Sequence, residues 1–186
     1  MKARVSRETK ETKVEVYVDF FGEDYEISTG IAFLDHMLEN FAKHAEIGLV
    51  VKAKGDLEVD EHHTVEDVAI TLGRAFKEAL GSKEGLKRFG YAIVPMDESV
   101  AICGIDLSGR GVFVLNGEFG DAGIKGENVV HFFDTFCRNS GINVFLEVRG
   151  ANSHHKIEAS FKALALSIKM ATEKGKGVRS TKGVLD

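Results

Sequence analysis

Asp60-Glu61-His62-His63-Thr64-Val65-Glu66-Asp67 sets two adjacent histidines and a carboxylate at the start of an apolar run with helical spacing. On a helix, His62 and Glu66 stand four residues apart on one face, and His63 and Glu66 three apart. Neighbouring positions are turned by about 100°, so His62 and His63 point in different directions. One metal ion held by both therefore fits poorly. Two metals, or metals shared with another part of an assembly, suit the geometry better. Imidazole plus carboxylate, with no cysteine in the cluster, points to Mn, Fe, Zn or Ni and not to a thiolate site.

The cluster returns as Ser153-His154-His155-Lys156-Ile157-Glu158. His62, His63, Glu66, Ala69, Leu72 and Phe76 map onto His154, His155, Glu158, Phe161, Leu164 and Ile168 at a constant offset of 92. Upstream, His36, Phe41 and Ile47 map onto His131, Phe136 and Ile142 at 95, which places a three-residue deletion in a hairpin of the second copy. Glu11, Asp19 and Gly22 map onto Glu98, Asp106 and Gly109 at 87, and the Gly-rich loop 116–128 absorbs the extra eight residues. The chain reads as an internal duplication: a first half 1–85, a second half 86–173, and a basic, Gly-rich tail 174–186, one compact domain overall.

Alternation over 2–8 and 13–21 predicts half-buried strands, with a short returning strand over Tyr25 to Ser28. A helix opens at Thr29 or Gly30 with Phe33, Leu34, Met37, Leu38, Phe41 and Ala45 on its apolar face; a strand follows over 47–53. The helix after His62 carries Val65, Ala69, Leu72, Phe76 and Leu80, and Gly81 ends it. The second half repeats the order: strands at 89–95, 98–107 and 111–115, a helix over Val130 to Asn139, a strand over Ile142 to Val148, a helix over His155 to Thr172. The predicted class is α+β: duplicated βββαβα halves whose four helices form a bundle between two four-stranded sheets. A homo-oligomer could cover the outer sheet faces.

Composition restricts the function classes. The chain has 186 residues, 44% of them hydrophobic, enough for a sizeable core, and a net charge of −5, which argues against a nucleic-acid footprint. Cys103 and Cys137 fit no metal or disulfide spacing, so reduced thiols in a cytoplasm are expected. The start shows no apolar signal segment, and no apolar run is long enough for a bilayer.

The candidate metal ligands are His36, His62, His63 and Glu66 in the first half and His131, His154, His155 and Glu158 in the second. Six histidines and two glutamates suffice for two ions, with coordination positions left for substrate or water. Neutral imidazole must bind, so metal affinity is expected to fall as pH drops through the histidine range. The seventh histidine, His44, duplicates as Asn139, which places it behind the ligands or facing a substrate. Asp35 and Asp67 flank ligands and are candidates for orienting them.

Phe33-Leu34-Asp35-His36-Met37-Leu38 with His44, the block Glu61 to Asp67, Pro95-Met96-Asp97-Glu98, Leu107-Ser108-Gly109-Arg110, Ser153 to Ala159, and Ser180-Thr181-Lys182-Gly183 together resemble the imidazoleglycerol-phosphate dehydratase family, in order from about Arg4 to Gly183. No fused phosphatase domain is expected. The resemblance implies a hydro-lyase of histidine biosynthesis that converts D-erythro-imidazole glycerol phosphate into imidazole acetol phosphate. It implies Mn²⁺ as cofactor, two ions per active site, and a ribosomal protein S5 domain 2-like fold. It also implies a homo-oligomer, a 24-mer of trimers, with active sites between subunits. Metals on both imidazole nitrogens would favour the imidazolate, whose electrons expel the adjacent hydroxyl to give a diazafulvene-like intermediate; a carboxylate then takes the neighbouring proton and the enol becomes the ketone. By resemblance Glu11 is the catalytic acid/base, and Glu98, its duplicate, stands behind the ligands. Arg88, Arg110, Ser180 and Lys182 match phosphate-binding positions, with Glu11 and His44 also at the substrate, and the tail closes over it as a lid. Nothing is carried over onto the loop 116–128.

Two rival readings use the same residues. A two-metal phosphoesterase would also need metals and arginines, although such sites usually rely on several aspartates. A non-catalytic, metal-stabilised shell protein would use the histidine clusters only to cement subunits.

Overall fold

The computed structural model describes residues 1–177 and residue 180. The first half runs β1 (Lys2–Glu8), β2 (Thr12–Asp19), β3 (Tyr25–Ser28), α1 (Ala32–Ala45), β4 (Gly48–Gly55) and α2 (His62–Leu80). The second runs β5 (Phe89–Met96), β6 (Ser99–Asp106), β7 (Phe113–Asn116), α3 (Gly126–Ser140), β8 (Asn143–Arg149) and α4 (Ser153–Thr172). Each half makes a four-stranded sheet, ordered β1-β2-β4-β3 and β5-β6-β8-β7. The first two pairings in each are antiparallel and the last is parallel. The α+β architecture expected from the repeat is the one present.

The helices form the layer between the sheets, and they pair across the halves, α2 with α3 and α1 with α4. This pairing follows from where the apolar stripes lie. Phe76 is fully buried, its ring 5.2 Å from Phe20, 5.8 Å from Phe41 and 5.3 Å from Phe136, so one side chain joins both halves. Phe161 meets Phe132 at 5.4 Å and Phe133 at 5.0 Å on the other side. At Gly73 the α2 backbone lies against α3; an added Cβ would stand 2.7 Å from Asn139 Cβ and 2.8 Å from the Phe136 carbonyl oxygen.

Several boundaries differ from the sequence reading, for identifiable reasons. Helix α1 starts at Ala32, not Thr29 or Gly30, because Gly30 is at φ +84° and the Asp35 carboxylate reaches back to accept from Thr29 N–H (2.7 Å) and Oγ1–H (2.6 Å). Helix α3 starts at Gly126, inside the stretch read as loop, because Asp121 Oδ1 accepts from Gly126 N–H (2.8 Å) and Glu61 accepts from Lys125 N–H (2.7 Å). Helix α4 starts at Ser153, where Asn152 Oδ1 caps it by accepting from His155 N–H (3.1 Å). The three-residue difference placed in a hairpin lies instead in the connection into the second helix: residues 56–61 link β4 to α2, whereas 150–152 link β8 to α4.

Both cysteines are buried, Cys103 on β6 and Cys137 on α3. Burial pushes the Cys103 thiol up to about 12 and raises that of Cys137 as well. The native protein is therefore expected to resist a thiol-reactive dye at pH 8 and to react at both cysteines once unfolded; rapid native labelling would contradict this packing. Among the described residues, no helix is long and apolar enough to cross a membrane.

Candidate metal centre and substrate groups

Helix pairing across the halves decides which ligands meet. His36 on α1 joins His154 and Glu158 on α4, and His131 on α3 joins His62 and Glu66 on α2. In each group the potential ligand atoms all lie within 4.8 Å of one another. His154 Nε2 is 3.0 Å and His36 Nε2 3.5 Å from Glu158 Oε2; His131 Nε2 is 3.3 Å from Glu66 Oε1. The sequence left open how the ligands divide between two ions; the fold brings one histidine of each half to the ligands of the other.

The donor chemistry fits a divalent cation. Each group offers two imidazoles and one carboxylate, the ligand type of first-row metals. His131 Nε2 is a buried nitrogen with no hydrogen-bond partner among the described residues, a condition that a cation would relieve. Burial would raise the Glu158 carboxyl, but hydrogen bonds from Lys162 and His154 outweigh it and hold the group below its ordinary value. Glu158 is thus an anion in the folded chain.

His63 and His155, one residue on, point away from both groups. His63 Nδ1 lies 3.1 Å from Asp56 Oδ2 and 3.7 Å from Glu11 Oε2, and the Asp56 hydrogen bond raises its pKa. His155 Nδ1–H donates to Glu98 Oε2 (2.8 Å), which raises His155. Glu98 also accepts from Asn152 N–H and Ser99 Oγ–H (each 2.8 Å); His155 leads these partners in bringing its carboxyl down to about 2. Glu98, expected behind the ligands, stands beside His155. Glu11 lies in the β1–β2 turn, in a shallow depression shared with Thr9, Lys54, Asp56 and Glu58.

Asp35 and Asp67 do not orient histidines. Asp35 fixes the start of α1, as above. Asp67 is buried and accepts from Arg7 Nε–H (2.6 Å) and, through a short contact, from Thr12 Oγ1–H, tying α2 to β1 and β2. Of the groups that do touch the imidazoles, Glu98 at His155 was expected, whereas Asp56 at His63, Asn128 at His62 (3.0 Å) and Asn40 at His36 (3.3 Å) were not singled out from sequence. Each of these three is a lone polar residue with no spacing signal. His44, half-buried on the last turn of α1, has its pKa lowered first by burial and then by Lys162 and Lys43.

The cationic groups gather elsewhere. Arg88, at φ +72°, donates from Nε (2.7 Å) and Nη2 (3.1 Å) to the two oxygens of Asp106, and Arg110 Nη2 is 3.7 Å from Asp106 Oδ2. The root of the tail joins them: Gly175 N–H donates to Gly85 O (2.7 Å) and Gly85 N–H to Gly177 O (3.1 Å). Arg88 N–H bonds Ala171 O at the end of α4, whereas His154 and Glu158 sit at its start. At 1.5 Å rise per residue, the Arg88 backbone is roughly 25 Å along α4 from His154. Arg88 and the α4 ligands thus lie at opposite ends of one helix, whereas Gly111, next to Arg110, packs on Cys137 and Arg138 of α3, roughly 10 Å along that helix from His131. Lys182 and most of the expected lid lie outside the described residues; Ser180 is half-buried.

A family model described as imidazoleglycerol-phosphate dehydratase matches residues 29–168. An imidazoleglycerol-phosphate dehydratase of Archaeoglobus fulgidus is 57% identical over 184 residues, covering 98% of this chain and 99% of that protein. A histidine biosynthesis bifunctional protein of Stenotrophomonas maltophilia is 49% identical over 190 residues, 98% of this chain and 52% of that protein. The crystal structure of imidazoleglycerol-phosphate dehydratase from Staphylococcus aureus superposes with a TM-score of 0.85 at 30% identity, over 94% of this chain and 100% of that one. That of IGPD from Pyrococcus furiosus does so at 0.86 and 35% identity, over 97% and 99%. The chain belongs to the imidazoleglycerol-phosphate dehydratase family, hydro-lyases of histidine biosynthesis.

Proposed function

We propose that this chain catalyses the manganese-dependent dehydration of D-erythro-imidazole glycerol phosphate to imidazole acetol phosphate in the cytoplasm. The observation that carries the reading is the pair of His-His-Glu groups assembled across the two halves. His62, Glu66 and His131 would hold one Mn²⁺, and His36, His154 and Glu158 the other. When bound, the ions supply Lewis-acid polarisation of the substrate's imidazole ring.

The chain's own residues account for the rest of the chemistry. Loss of water removes the hydroxyl next to the ring and the proton on the following carbon, giving an enol that tautomerises to the ketone. Glu11 is the base for that proton: an exposed carboxylate on a tight turn, facing His63. Arg88 and Arg110 bind the phosphate, Arg88 with its planar fork already aligned by Asp106. Ser180 and Lys182 complete the phosphate site as the tail closes, and His44 borders the substrate.

The roughly 25 Å between Arg88 and the α4 ligands in one chain supports a homo-oligomer, a 24-mer of trimers, in which one copy's ligands meet another's phosphate groups. His63 and His155, aimed outward, are then available to the metals of a neighbouring copy. The outer face of the second sheet supports association too, since Phe89, Tyr91, Ile93 and Phe145 are exposed there. For Glu11→Gln we expect turnover of imidazole glycerol phosphate to fall by about 10²–10⁴-fold with bound manganese unchanged. Undiminished turnover would remove Glu11 from the reaction.

A further inference from the structure

The two histidine groups are related by the duplication, yet their surroundings differ at three corresponding positions. Glu61 Oε1 accepts from Lys125 N–H (2.7 Å) and from Asn128 Nδ2–H (2.9 Å). A carboxylate anion only accepts, so the amide nitrogen of Asn128 must face Glu61 and its oxygen must face His62. Asn128 is 2% exposed, and its Oδ1 is 3.0 Å from His62 Nδ1. It follows that Nδ1 carries the imidazole proton and that Nε2 keeps its lone pair. The His62 ring is further held by stacking on His131, centroids 4.7 Å apart and planes at 24°.

At the twin group these supports are missing. The counterpart of Asn128 is Phe33 and that of Glu61 is Ser153, by the offsets of 95 and 92. Phe33 meets the His154 ring edge-on at 5.2 Å and offers no oxygen, and among the described residues no acceptor stands at His154 Nδ1. Neither tautomer of His154 is selected from behind. The carboxylates differ too. Lys162 Nζ lies 2.7 Å from Glu158 Oε1 and partly neutralises it, whereas the position matching Lys162 in the first half is Ile70. Both differences favour the same group.

We propose that Asn128, fixed by Glu61, is a positioning residue that locks His62 for metal binding, so that His62, Glu66 and His131 form the tighter of two inequivalent divalent-cation sites. The inference rests on the metal reading above. Outer hydrogen-bond partners of metal-bound histidines typically contribute about 10–100-fold in affinity.

The test is an equilibrium titration of chelator-stripped full-length protein with Mn²⁺ alone, following the paramagnetic resonance signal of the free ion. Wild type should show two classes of site separated by at least about tenfold. Asn128→Leu should weaken the tighter class by about 10–100-fold and leave the weaker one unmoved. Glu61→Gln keeps an acceptor for Lys125 but lets the amide of Asn128 turn over, so it should weaken the same class by less; it also carries the test if Asn128→Leu does not fold. A single class of equal sites, or variants that weaken both classes alike, would overturn the inference while leaving the metal reading intact. No Mn²⁺ bound at all would remove both.

Discussion

Glu158→Ala is expected to abolish the dehydratase reaction for practical purposes and to remove one of two Mn²⁺ ions per chain. Glu158 is the sole carboxylate of its group, its side chain is only 8% exposed, and it is reached by His154 Nε2, His36 Nε2 and Lys162 Nζ together. Truncation takes away the charge that offsets a cation and leaves the Lys162 ammonium facing two imidazoles. The loss in kcat/KM should exceed the roughly 10–100-fold typical of residues that merely support a ligand. Glu158→Gln is the informative companion, because it keeps the shape and loses the charge; it should also lose the ion. Metal analysis beside steady-state kinetics would check both, and a fully loaded, fully active Glu158→Ala protein would break the assignment.

Phe76→Ala should be the most damaging single change in the core. The ring is fully buried and meets Phe20 and Phe41 of its own half and Phe136 of the other. Removing it costs the transfer of a large apolar side chain plus a cavity between close-packed helices, about 3–5 kcal/mol. Because Phe76 lies in the layer that sets α2 against α3, His62 and His131 should also separate. The expected result is a large drop in thermal midpoint with weakened Mn²⁺ binding at that group. A destabilised variant that still binds both ions normally would show that the metal geometry does not depend on this packing.

What was legible in the sequence, and what was not, divides along physical lines. The halves could be read because the duplicated positions keep chemically distinctive residues, HHxxE above all, and because apolar spacing of 3.6 and 2 marks helices and strands directly. The end of helix α2 was placed to the residue, since Gly81 ends it with φ +52° and its N–H bonded to Lys77 O. The exchange of His36 and His131 between groups was not legible: spacing fixes which face of α1 or α3 is apolar, but not which helix it will meet. Asn128 was invisible for a related reason. It lies in a stretch that read as loop, and its role exists only because Glu61, distant in sequence, reaches both it and Lys125. Asp35 and Asp67 were candidates only because they adjoin ligands along the chain, which says little about adjacency in space. On a helix, neighbouring positions are turned apart, and both carboxylates serve the scaffold.

The most direct test of the central claim is turnover of imidazole glycerol phosphate by chelator-stripped protein, with and without added Mn²⁺, following ketone and inorganic phosphate together. The account predicts that ketone forms only when the metal is restored and that no phosphate is released. Phosphate release would instead mark a two-metal hydrolase. A metal-loaded, assembled protein that makes no ketone would mean that its histidine groups hold metal for structure alone.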